Sequence, residues 1–168
     1  MKRLIIVLAV LSLSAVIAAN SANAGLRVGG GLHYLRTVGD LKDEEGFDEN
    51  SFSFLGSVKY GFGLLTVEGD LEYIHDYVGS GLYMIQPQAY ALVGGLIYGG
   101  AGIGVGNLEE FGWQEPFYAL RAGVDLNVGP VDLDIFGSYR FQKTDDLKTL
   151  DSDDLDAITL GAIVFVGF

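Results

Sequence analysis

"LTVEGDLEY" (Leu65–Tyr73) alternates without a break. Leu65, Val67, Gly69, Leu71 and Tyr73 hold the odd positions, and Thr66, Glu68, Asp70 and Glu72 hold the even ones. A period of two is the signature of a β-strand with unlike faces. One face of this strand is apolar, and the other carries three acids. Such a row of acids suits a metal site, a catalytic carboxylate set, a solvated surface or the inside of a barrel. Deciding among these fixes the fold.

The same alternation recurs along the rest of the chain and predicts eight strands. The first runs over about 26–37, the second near 52–62, and the third over the quoted stretch. The fourth and fifth cover 83–93 and 97–105, the sixth 118–126, the seventh 131–141 and the eighth 158–168. Short turns such as "GFG" (61–63) and "NVGP" (127–130) join strands two to three, four to five and six to seven. The other connections are longer and polar, above all "DLKDEEGFDEN" (40–50) and "TDDLKTLDSDD" (144–154). An up-and-down meander then has its tight turns at one end and its long loops at the other, as transmembrane barrels do. Pro87 cannot donate to a ladder, so a bulge is expected there.

Alternation alone does not say which face is inside. A soluble, lipocalin-like barrel turns its apolar face inward; a membrane barrel turns it to lipid. The aromatics decide. Tyr34, Phe52, Phe54, Tyr73, Tyr83, Tyr118, Tyr139 and Phe141 cluster toward the long loops. Tyr60, Phe62 and Phe168 lie toward the tight turns, with Leu, Val, Ile, Ala and Gly between the two groups. Two aromatic girdles around an aliphatic band match a bilayer and its interfaces. The predicted fold is therefore all-β: an eight-stranded antiparallel up-and-down transmembrane β-barrel.

That choice sends the polar face inward. Arg27, Lys59, Glu68, Asp70, Glu72, Arg121, Asp125, Asp132, Asp134 and Arg140 are expected to form a lumen charge network, accompanied by His33, Gln86 and Gln88. An eight-stranded barrel has room inside for side chains and not for an open pore. Unpaired buried charges are too costly to persist, so the acids of the quoted stretch should meet cations from other strands. Gly100, Gly102 and Gly104 are expected to make space for Tyr90, Phe136 and Phe165. The glycine run "YGGAGIGVG" (98–106) lacks G-x-G-x-x-G spacing and a following helix, so it reads as a strand and not as a nucleotide loop.

The full chain has 168 residues, 49% of them hydrophobic, with 10 Lys+Arg against 22 Asp+Glu and no cysteine. "MKRLIIVLAVLSLSAVIAANSANA" opens with Lys2 and Arg3, continues with an apolar run and ends on Ala22-Asn23-Ala24. This is the pattern of a secretory signal peptide, 1–24, cleaved to leave a barrel domain of 25–168. Its apolar run is short for a spanning helix, which needs about 20 residues. Removing Lys2 and Arg3 takes the formal net charge from −12 to −14. Such a charge argues against nucleic-acid binding, because phosphates would be repelled.

The chain ends "TLGAIVFVGF", with apolar residues at every second position back from Phe168 and with Thr159, Gly161, Val164 and Val166 in a polar-x-Gly-x-x-apolar-x-apolar pattern. This resembles the C-terminal assembly signal of bacterial outer-membrane β-barrel proteins. With the leader and eight strands, the whole mature chain resembles the small OmpA/OmpX-type barrels. The resemblance implies export to the outer membrane of a Gram-negative cell, insertion by the barrel-assembly machinery, and contact with the lipid bilayer and lipopolysaccharide as a monomer. It implies no one activity, since members include anchors, adhesins and lipid-modifying enzymes.

The leading expectation is a structural or surface-interaction role, with a plugged charged lumen, acidic external loops and no cofactor. A lipid-modifying enzyme of lipid A deacylase or acyltransferase type is the second reading, with His75 beside Asp76 and Ser80 as its nearest serine. A conduit for small apolar solutes, opened laterally near Pro87, is the third. The loop acids Asp40, Asp43, Glu44, Glu45, Asp48 and Glu49, and "DSDDLD" (151–156), offer carboxylates to divalent cations. The second cluster lacks the glycine and closing glutamate of an EF-hand. Trp113 is the lone tryptophan and reads as a contact residue or an interface anchor.

Overall fold

The computed structural model describes residues 25–37, 50–77, 81–142 and 157–168. The leader 1–24, most of both acidic loops, and Ser80 lie outside the described residues. Eight strands follow in order: β1 (Gly25–Thr37), β2 (Asn50–Phe62), β3 (Leu65–Ile74), β4 (Met84–Gly94), β5 (Ile97–Leu108), β6 (Gly112–Val128), β7 (Val131–Phe141) and β8 (Ala157–Gly167). Each pairs antiparallel with its sequence neighbour, and β8 pairs with β1 to close the barrel.

Ladder partners followed once around the wall give the stagger. Gly25 leads through Gly61, Thr66, Leu92, Gly100, Arg121, Ser138 and Thr159 back to Leu35, ten residues up β1. With ordinary strand spacing and rise, that stagger tilts the strands by about 40°. At this tilt Phe52 and Phe62, ten residues apart on β2, stand about 25 Å apart along the barrel axis. That separation equals the height of the apolar band on membrane barrels.

The two faces are inverted relative to a soluble protein. Leu32, Phe54, Val67, Leu71, Ile97, Ile135, Leu160 and Val164 are exposed, while Lys59, Glu68, Glu72, Arg121 and Asp134 are buried. Water would charge heavily for this arrangement, whereas a hydrocarbon surround favours it. In the outer-end girdle, Tyr34 stands 5.1 Å from Phe52 and Tyr73 stacks on Tyr83 at 6.0 Å. Tyr139, Tyr118 and Phe141 form a second cluster, whose Phe141 is buried between the other two rings and not exposed. At the inner end Tyr60 lies 6.0 Å from Phe62, and Phe168 is exposed.

The expected bulge at Pro87 is not found. β4 runs through Pro87, which pairs with Leu71 of β3. On the β5 side the register is the same at Ile85↔Asn107 and at Gln88↔Gly104, with Gln86 and Pro87 left out between them. The missing N–H is thus absorbed as a short interruption of the ladder and not as an extra residue. The register shift lies one strand further on, between Val105 and Asn107, where Gly106 of β5 faces Gln114 and Glu115 of β6.

Candidate functional site

Each large aromatic of the lumen stands opposite a glycine in register. Tyr90 pairs with Gly102, Tyr98 with Gly123, Phe117 with Gly104, Phe136 with Gly161 and Phe165 with Gly29. A Cβ added at any of these glycines would collide with the facing ring. Gly102 makes room for Tyr90 as expected, but Gly104 does so for Phe117, Gly100 lies against Leu92, and the rings of Phe136 and Phe165 are served by Gly161 and Gly29. The correction follows from register: a ring is seated by its cross-strand partner, and 100–104 face only β4 and β6.

The seated rings in turn hold the cations. The Arg121 guanidinium lies between Tyr90 and Phe136, 3.6 and 4.1 Å from their centroids. Lys59 Nζ is 4.6 Å from the Phe165 centroid and 5.1 Å from that of Tyr98. Arg140 lies 5.0 Å from the Phe117 centroid and Arg27 5.8 Å from that of Phe165. A cation over a ring face is attracted by the ring quadrupole, the more so out of water.

The carboxylates complete three tiers. Nearest the tight turns, Arg27 Nη1 donates to Asp125 at 2.8 Å and to Asp132 at 3.2 Å. Lys59 donates to Asp134 and lies 3.5 Å from Glu68 and 3.6 Å from Asp125. Tyr98 donates to Asp134 at 2.7 Å. In the middle tier Arg121 bridges Glu68 at 3.0 Å and Asp70 at 2.8 Å, and Ser57 donates to Glu68 at 3.1 Å. In the upper tier Glu72 is the hub. It accepts from Arg140 Nη2 at 2.7 Å, from Gln88 Nε2 at 2.7 Å, from His33 Nδ1 at 2.7 Å and from Ser53. Arg140 also donates to Gln86 at 3.0 Å.

All ten residues expected in the charge network are therefore within ion-pair reach of another member. Sequence reading placed His33, Gln86 and Gln88 on this face without assigning them partners, and it passed over Ser53, Ser57 and Tyr98. Parity along β2 was the available signal for the two serines, which are spaced evenly from Lys59; for Tyr98 it was even spacing from Gly100, Gly102 and Gly104 on β5.

Above the upper tier Leu35, Ile74, Met84 and Phe117 are buried and cap the polar file with apolar side chains. At the opposite end a cleft of about 40 Å³ opens among Arg27, Lys59, Thr66, Leu92, Tyr98 and Asp125. That volume holds on the order of one or two waters. Side chains of this kind are what the interior of an eight-stranded barrel has room for.

A serine, a histidine and an acid do meet in the upper tier. Their wiring differs from a nucleophile–base pair: Ser53 and His33 both address Glu72, and His33 Nε2 has no hydrogen-bond partner. Outside the lumen, His75 is exposed, 6.4 Å from the Tyr73 ring. Its neighbour Asp76 accepts from the Gly81 N–H at 2.8 Å, which closes the loop between β3 and β4. Among the described residues, no group of three or more His, Cys, Asp and Glu side chains is arranged to hold a metal ion.

No protein-family model and no curated protein matches the sequence. Solved structures do match. The chain is similar to Neisserial surface protein A (NspA) at 18% identity and a TM-score of 0.62, over 86% of this chain and 97% of that one. It is also similar to a de novo designed transmembrane β-barrel, at 13% identity and a TM-score of 0.51, over 85% of this chain and 96% of that one. Ail, the attachment invasion locus protein of Yersinia pestis, solved with the heparin analogue sucrose octasulfate, matches at 20% identity and a TM-score of 0.47, over 86% of this chain and 99% of that one. Closed wall, inverted faces and the likenesses to NspA and to the designed barrel agree: the chain has the fold of the small eight-stranded transmembrane β-barrels.

Proposed function

We propose that this protein is an outer-membrane barrel that acts as a surface scaffold, with its lumen closed by charge pairs and its acidic loops carried on the outside. The observation that carries this reading is the inverted barrel, in which buried Lys59, Glu68, Glu72, Arg121 and Asp134 sit inside a wall of exposed aliphatic and aromatic side chains. Only a hydrocarbon surround stabilises that surface. The apolar cap of Leu35, Ile74, Met84 and Phe117 and the paired tiers below it support a closed lumen over a conduit. The apolar alternation of Val164, Val166 and Phe168, with Gly161 in its place before them, supports insertion by the barrel-assembly machinery. Divalent cations bridging the acidic loops to lipopolysaccharide phosphates belong to the same reading.

Expression in a Gram-negative host tests it. The protein should fractionate with the outer membrane, migrate as a compact band until boiled, start at Gly25 and lose its loops to protease added outside the cells. Recovery as a soluble periplasmic protein would overturn the reading. Planar-bilayer recordings should show no steady conductance; stable open steps would overturn the closed lumen. The lipid-modifying alternative is tested by incubation with lipid A: a change in acylation that disappears in His75→Ala would establish it in place of the scaffold role.

A further inference from the structure

The wall is not equally tall all round. β6 is 17 residues long, while β7, its neighbour on one side, has 11. Among the described residues, the last β6–β7 ladder pair is Tyr118↔Phe141, and β6 continues beyond it paired with β5 as far as Leu108↔Gly112. Trp113 lies five residues beyond Tyr118 on this extension, one of them taken up by the bulge, and so stands about 10 Å above it along the axis. Phe111, at the turn, sits higher still. Trp113 is 65% exposed and Phe111 70% exposed.

The bulge decides where Trp113 points. Counting by twos from Tyr118 puts Gln114 on the outer face and Trp113 on the inner one. The extra residue opposite Gly106 reverses that parity and pairs Trp113 with Asn107, on the outer face shared with Val105. Bulges commonly re-aim a side chain in this way. The turn is also held in place. Glu109 N–H donates to Tyr83 O at 3.0 Å, and Phe111 N–H to Leu108 O at 3.2 Å. Glu110 and Gly112 take left-handed backbone, at φ 71° and 75°.

Trp113 therefore faces sideways, continuous with the lipid-facing band, above Tyr118 and level with Tyr83, the girdle residue whose carbonyl accepts from the Glu109 N–H. What surrounds a barrel at that height is the headgroup layer of the same leaflet. The hairpin Asn107–Pro116 has no Lys or Arg, and it carries Glu109, Glu110, Gln114 and Glu115. Without cations it is not built to take phosphates. Flat exposed rings beside carboxylate and amide acceptors suit a neutral polyhydroxylated ring: the ring faces meet its C–H groups and the acceptors its hydroxyls. We infer that Phe111 and Trp113 form a stacking ledge for the sugars that glycolipids of the surrounding leaflet carry beyond their acylated, phosphorylated base. This inference rests on the outer-membrane reading proposed above.

The lone tryptophan makes a direct probe. The full chain is inserted into phosphatidylcholine vesicles, then into vesicles also containing lipid A, or lipopolysaccharide with lipid A and core sugars only, all with chelator present. Trp113 emission and acrylamide quenching are read in each. Quenching should fall several-fold only with the core sugars, and Phe111→Ala should lose most of that protection while still migrating as a compact band. Equal protection by lipid A alone, protection already in phosphatidylcholine, or no protection in any vesicle would each overturn the inference. Compact migration and protease resistance in the same vesicles report insertion separately. Failure to insert would therefore indict the membrane reading, and insertion without sugar-dependent protection would indict the ledge alone.

Discussion

Tyr90 stands directly across the β4–β5 ladder from Gly102, and its ring occupies the space a Gly102 side chain would need. The ring's other face carries the Arg121 guanidinium, which holds Glu68 and Asp70. Glycine, aromatic, cation and carboxylate thus form one stack across the barrel. The glycine, the weakest strand former in it, is what lets the charges be buried in partnership.

Gly102→Val is expected to destabilise the barrel by about 1–3 kcal/mol through overpacking. A Cβ there would meet Ala89 O at 2.6 Å as well as the tyrosine ring, so a rotamer change of Tyr90 alone does not relieve it. Urea unfolding from vesicles, followed by band shift or fluorescence, measures the loss.

Outward glycines should behave in the opposite sense. Gly56 and Gly69 face lipid with nothing within 4 Å of an added Cβ. Gly56→Ala should be neutral or stabilising by about 0.4–1 kcal/mol, because alanine restricts the unfolded chain without a clash. A loss of stability comparable to that of Gly102→Val would show that these positions are not free.

Arg121→Ala removes a cation from two buried acids and should cost about 3–5 kcal/mol. Arg121→Lys should rescue little, because a lysine cannot bridge both carboxylates while lying flat between two rings. Glu68→Ala should cost less than Arg121→Ala, since Lys59 keeps Asp134 and Arg121 keeps Asp70. Equal losses in the two alanine variants, measured by the same unfolding, would contradict this ordering.

Glu72→Ala leaves Arg140 without its carboxylate and three further donors without their acceptor. A double-mutant cycle with Arg140→Ala should give a coupling of about 0.5–3 kcal/mol. Strict additivity would mean that the 2.7 Å pair contributes nothing beyond its two separate members.

Much of this architecture was legible in the chain. Period-two alternation set the eight strands, and the sorting of Tyr34, Phe52, Tyr60 and Phe62 by height set which face meets lipid. Two positions escaped. The sixth strand begins at Gly112 and not near Tyr118, because the bulge opposite Gly106 inserts one residue and breaks the period being counted. Phe141 falls in parity with the girdle yet is buried, because two neighbouring rings close over it.

By itself, then, the sequence determined that Glu68, Asp70 and Glu72 share one face of one strand and that this face turns inward. The shared face is local, since side-chain direction along a strand depends only on parity; the inward turn follows from the sorting of the girdle aromatics by height. Their division of labour was decided by the closed barrel. Glu68 and Asp70 meet Arg121 from β6, while Glu72 meets Arg140 from β7 and His33 from β1. Those partners lie far apart in the chain. A ten-residue stagger, set by the pairing of all eight strands together, brings them to the same height.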